Sequence, residues 1–188
     1  MVRRMLIVAI VAGAALAGSQ LASALPYSTA SAYRVQRQPR AGSCHARGRG
    51  LYALPDPHCT PGALDPAVRQ ATIYSTICRS GWTSAVRPPE WVSEPEKYAS
   101  LRAYGDGSAV WRFEYDHLVP LELGGAANDP RNLWPELDWA QPHGYYNHNP
   151  KDELEYELRN MVCDGEMRLA AAQHLIATNW VAAWRRYG

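Results

Sequence analysis

Charge of one sign is what this chain most lacks. Its 188 residues carry 19 Lys and Arg against 18 Asp and Glu. Arg3 and Arg4 lie before residue 25, so the remainder holds 17 basic and 18 acidic residues, a net of −1 with His neutral. That excludes a polyanion-binding surface spread over the whole molecule, and any nucleic-acid site must be a local patch. No C-x-x-C pair occurs, and the cysteines are widely spaced, which argues against a compact zinc site. Residues 51–108 carry no internal repeat and no obvious catalytic cluster. Beyond residue 24 no long apolar run remains, so no further membrane-crossing segment is expected.

What is present begins with the first 24 residues. Arg3 and Arg4 precede an apolar stretch from Leu6 to Val11, and small residues end in Ala22-Ser23-Ala24. This is the layout of a secretory signal. The uncharged run Met5–Ala24 is 20 residues, long enough for a membrane anchor. Gly13, Gly18, Ser19 and Gln20 make its second half poorly apolar, which favours cleavage after Ala24 and no stable membrane association afterwards. Removing 24 of 188 residues leaves 164, enough for one domain with a core. Cys44, Cys59, Cys78 and Cys163 make an even set, and an exported chain uses such a set for disulfides. Of three connectivities we expect Cys44–Cys59 and Cys78–Cys163, the second stapling the two halves together.

Residues 25–50 are rich in Ser, Ala, Gly, Arg and Gln and read as a flexible basic leader. Arg34, Arg37, Arg40, Arg47 and Arg49 in it could meet phosphates, although a solvated linker explains them as well. Residues 51–188 then form a single domain. Asp65-Pro66 resembles an N-cap with proline at the first helical position, predicting a helix from Ala67 to about Cys78. Arg87-Pro88-Pro89 must be extended. Ser93-Glu94-Pro95-Glu96 has capping-box spacing and predicts a short helix to Tyr104-Gly105. This part reads as scaffold.

The polar residues become particular after residue 109. Val110, Trp111, Phe113 and Tyr115 predict a strand running into Asp116-His117. Pro120 ends pairing, Gly124-Gly125 and Asn128-Asp129-Pro130 supply turns, and Asn132–Pro135 resumes as a strand. A polar, aromatic loop through His143 and Tyr146 follows. Lys151 to about Val162 predicts a helix with Leu154, Leu158 and Met161 inward, and Glu166–Arg186 a second, with Leu169, Ala172, Ile176, Trp180 and Ala183 inward. The fold class is α+β. Trp91, Trp111, Trp134, Trp139, Tyr145 and Tyr146 could stack on bases, but core packing is the commoner use of such residues. His143 and His174 receive no role.

Asp116-His117-Leu118-Val119-Pro120-Leu121, then Gly124-Gly125, Asn132-Leu133 and His148-x-x-Lys151, resembles the HNH endonuclease motif over residues 115–155. The surroundings of Cys78 and Cys163 resemble small secreted HNH-like proteins of actinobacteria. The resemblance implies a ββα-metal motif over about 109–162, embedded in a mainly helical, disulfide-stabilised domain. It implies an endonuclease cutting DNA or RNA as a monomer with a divalent metal, Mg²⁺ before Mn²⁺ or Zn²⁺. His117 would be the general base, since an imidazole can take a proton near neutral pH. Asn132 would hold the loop, because an amide donates and accepts at once. Asp116 offers the hard oxygen that Mg²⁺ favours.

Adjacent strand residues face opposite ways, so Asp116 and His117 serve together only if the chain kinks. Lys151 joins the catalytic set by the same resemblance. For the last metal ligand, His148 stands three residues before Lys151, and Asn147 stands eight before Glu155. His148 ranks ahead of Asn147, with Glu155 acting through water. A polar loop leading into the helix cap accounts for Asn147 and His148 without any metal. The competing function is a non-catalytic exported protein that binds nucleic acid, metal or a cell-envelope partner.

Overall fold

The computed structural model describes residues 33–107, 109–138 and 149–188. The proposed signal segment therefore lies outside the described residues. So do Asn147 and His148, along with Trp139, His143, Tyr145 and Tyr146. The architecture is a small mixture of helices and one two-stranded antiparallel sheet, tied by two disulfides. The helices are α1 (Trp82–Val86), α2 (Glu90–Ala103), α3 (Pro150–Cys163) and α4 (Leu169–Tyr187), and the strands are β1 (Phe113–His117) and β2 (Leu133–Leu137).

The two C-terminal helices form where their apolar spacing predicts. Asn149 caps α3 by accepting the Lys151 N–H at 2.9 Å, and Pro150 opens the helix, a position where its missing N–H costs nothing. Leu154, Leu158 and Val162 are buried. Met161 is only half-buried, so the inward stripe ends one residue later than its spacing suggests. Leu169, Ala172, Ile176, Trp180 and Ala183 of α4 are all buried, and the helix starts at Leu169 rather than Glu166. These residues join Leu118, Val119, Leu121, Leu123, Ile77 and Trp82 in one core. Burying each large aliphatic side chain contributes about 1.5–3 kcal/mol. The segment following β1 is therefore clamped against the helical layer, and the site is built on it.

Four expectations need correction. Residues 67–78 do not form an α-helix; a 3₁₀ turn covers Gln70–Ser75. Hydroxyls compete for its backbone: Thr72 Oγ1 donates to Ala67 O at 2.8 Å, Ser75 Oγ to Thr72 O at 3.0 Å, and Thr76 Oγ1 to Thr72 O at 2.7 Å. The next helix starts at Glu90, ahead of the Ser93 capping box, because Pro89 O already takes the N–H groups of Val92 and Ser93. The strand begins at Phe113, with Val110–Arg112 wound into a 3₁₀ turn, and it continues through Asp116 and His117.

The fourth concerns the stretch expected to be a flexible leader, whose residues 33–47 lie against the body. Gln36 N–H donates to Glu96 Oε1 at 2.6 Å, Gln38 Nε2 to Tyr115 Oη at 2.9 Å, and Gly42 N–H to Arg102 O at 2.8 Å. Cys44 is buried, with its sulfur joined to Cys59. Low apolar content misleads here, since backbone and amide hydrogen bonds fasten the segment. The pairings Cys44–Cys59 and Cys78–Cys163 are as expected, with Cα atoms 5.9 and 5.6 Å apart.

Candidate functional site

The register of the hairpin decides which side chains meet. Glu114 pairs with Glu136, Asp116 with Trp134, and His117 with Leu133. Partners in an antiparallel pair share a face, so Glu114, Asp116 and Glu136 lie on one side of the sheet. Two glutamates directly opposite each other repel, so a cation is needed nearby. Lys151 provides it from the first turn of α3.

The Lys151 side chain is 1% exposed. Its ammonium bonds Asp116 Oδ2, donates to Glu155 Oε1 at 2.6 Å and to His117 O at 2.9 Å, and lies 3.7 Å from Glu136 Oε2. Burial alone would push this amine down, but the surrounding carboxylates outweigh burial and hold it well above the ordinary range. Burial also favours a neutral Asp116, yet the Lys151 and His117 charges keep it below the ordinary carboxylate range.

One ammonium does not satisfy the whole cluster. Burial pushes Glu114 and Glu155 up to about 8, against the pull of Lys151. Glu136 is raised well above its ordinary value by burial, and among the described residues neither of its buried oxygens has a hydrogen-bond partner. Asn149 ties the helix cap to the same face, donating from Nδ2 to Glu114 Oε1 at 3.4 Å.

His117 faces the other way, with its ring buried at 6% exposure. Nε2 lies 3.0 Å from Ala127 O. A carbonyl only accepts, so Nε2 carries the hydrogen and Nδ1 keeps its lone pair. Burial pushes the imidazole down to about 4, so it is neutral at physiological pH. The expected kink is absent: the strand stays extended, Asp116 turns to α3, and His117 turns to the loop between the strands.

Asn132 holds that loop. It is fully buried, its Oδ1 accepts Val119 N–H at 2.9 Å, and its Nδ2 donates to Val119 O at 2.9 Å and Ala126 O at 3.1 Å. The double glycine makes room for this bracket. A Cβ on Gly125 would stand 1.8 Å from Val119 O and 2.6 Å from Asn132 Nδ2, while Gly124 takes φ +74°.

The structure thus gathers Asp116, Lys151 and Glu155 in one cluster, with His117 and Asn132 alongside. Glu155 contacts Lys151 directly, one turn along the same helix. Glu114 and Glu136 are additions that sequence reading missed; the only signal was the strand register, which would have set them opposite each other and toward Lys151. Among the described residues, no group of three or more His, Cys, Asp and Glu side chains could hold a metal ion. Comparison with protein-family models, with curated proteins and with solved structures finds no match for this chain.

Proposed function

We propose that this chain is an exported, metal-dependent endonuclease of the HNH type that hydrolyses phosphodiester bonds of DNA or RNA. The observation that carries the reading is the anchored imidazole of His117. A histidine whose Nε2–H is held by a backbone carbonyl, and whose Nδ1 is unprotonated at neutral pH, has a lone pair available to take a proton from water. Asn132 supports it indirectly by fixing the loop that carries Ala127. Lys151 fixes the strand end through Asp116 and the His117 carbonyl. The strand–loop–strand–helix order supports the ββα-metal reading.

Asp116 fits a divalent cation in kind: it is ionised, and its side chain keeps 27% exposure despite the Lys151 contact. Mg²⁺ needs only one or two carboxylates, with waters and substrate phosphates completing its shell. His148 and Asn147 remain the proposed further ligands. Such an ion would supply Lewis-acid polarisation of the phosphate. The two disulfides suit an oxidising compartment, and among the described residues no helix is long and apolar enough to cross a membrane.

Two observations favour the non-catalytic alternative: Lys151 already fills the point where the carboxylates converge, and without a kink Asp116 and His117 face opposite sides of the strand. Incubating the purified protein and its His117→Ala variant with plasmid and with RNA, each with and without EDTA, separates the two readings. Cleavage that needs both the metal and His117 is expected, whereas no cleavage of either substrate supports the alternative.

A further inference from the structure

A second cavity, of about 350 Å³, lies beside β2, between residues 46–53 and the 104–112 connection. Its volume is in the range of small-molecule sites. Tyr104 and Phe113 give it aromatic walls, and the buried Trp134 ring stands 6.2 Å from Tyr104 at a tilt of 56°. Arg49 and Arg112 line it against a single acid, Asp106. Both arginines are exposed, and among the described residues neither has an ion-pair partner.

We infer that this cavity binds a nucleotide unit, with the base against Tyr104 and Phe113 and the phosphate between Arg49 and Arg112. The chemistry selects the ligand class. Aromatic walls stack any base, and two guanidiniums fork a phosphate. An aliphatic anion would leave the walls unused, and an uncharged aromatic would leave the arginines unused. The unit can be a free nucleotide or one residue of a bound strand. Phe113 and His117 share a face of β1 roughly 13 Å apart, so a strand could reach both places. The inference goes beyond the nuclease reading and stands whether or not His117 cuts.

Calorimetric titration of the purified protein with AMP, adenosine and a short single-stranded DNA tests it. AMP should bind one to one, and adenosine at least about tenfold more weakly, because the charge-assisted bonds are lost. Arg49→Ala with Arg112→Ala should weaken AMP by a similar factor and leave adenosine unchanged. Both residues are exposed, so the fold should tolerate their loss. Phe113→Ala, which removes a wall against the base, should weaken both ligands. Competition between DNA and AMP would identify a strand as the source, and DNA that does not compete would identify the free nucleotide. No saturable AMP binding, or AMP binding unaffected by the double arginine variant, would overturn the inference. His117→Ala should abolish cleavage without touching AMP affinity, so this site and the nuclease can fail separately.

Discussion

Replacing Lys151 with methionine keeps the volume of the side chain and deletes its charge. At pH 7 Glu155, raised to about 8, is mostly protonated, so the firm anionic partner of the ammonium is Asp116. Removing one member of a buried pair leaves the other uncompensated, at a cost of about 3–5 kcal/mol. Asp116 retains 27% side-chain exposure, so we expect the lower end, about 3 kcal/mol. With a urea slope of about 1.5–2 kcal/mol/M, that moves the unfolding midpoint down by about 1.5–2 M.

The pH dependence gives the sharper check. The folded Asp116 titrates below its ordinary 3.8, so the stabilisation from Lys151 is fully present above that value and fades as pH falls through the folded one. Glu155 titrates in the fold near 8 and adds a second anionic partner only above that. The gap between wild type and Lys151→Met should therefore be smallest below pH 4, about 3 kcal/mol at pH 7, and larger at pH 9. Urea melts followed by tryptophan fluorescence at these three pH values measure it. A gap that is absent, or that narrows as pH rises, refutes the assignment of Lys151 as the charge-holding residue.

Further perturbations reach the other parts of the site. His117→Ala should lower cleavage by about 10²–10⁴-fold with unchanged circular dichroism. Because burial holds the imidazole near 4, the acid limb of the wild-type rate should fall near that pH rather than near 6.5. Asn132→Ala strands Val119 N–H, and we expect a loss of about 2–3 kcal/mol in chemical denaturation. Disulfide removal should scale with the loop closed: about 3 kcal/mol for Cys44–Cys59, separation 15, and about 4.5 kcal/mol for Cys78–Cys163, separation 85. Comparing Cys→Ser pairs by thermal melting tests that order. Calorimetric Mn²⁺ titration should show a larger loss of affinity for His148→Ala than for Asn147→Ala.

Much of this was legible in the sequence where one local rule governs. Asn149-Pro150 and the Leu154, Leu158 spacing specify α3 without outside help, and Gly124-Gly125 before Asn132 marks a loop held by an amide. The Ala67–Cys78 region was misread because Thr72, Ser75 and Thr76 turn their hydroxyls on the backbone, which apolar spacing does not register. Glu136 falls just past the strand expected over Asn132–Pro135, and nothing local in the sequence marks it. Its burial follows from pairing with Glu114 and from the reach of a lysine fifteen positions later, which only the folded register brings together. Residues 33–47 were misread for a related reason: their partners, Glu96, Arg102 and Tyr115, are more than fifty residues away.

The Cys78–Cys163 bridge has a consequence for survival among proteases. His117, Asn132 and Lys151 all lie inside the loop that it closes. A single cut anywhere between the two cysteines leaves one covalent molecule, with α3 still attached to the N-terminal part through sulfur. Tyr74 Oη to Cys163 O at 3.1 Å and Arg159 Nε to Ile77 O at 3.3 Å keep the severed ends in register at the bridge. Two cuts, one on each side, are needed before any of these three residues can leave. A nicked molecule should thus run as one band on a non-reducing gel and as two on a reducing gel.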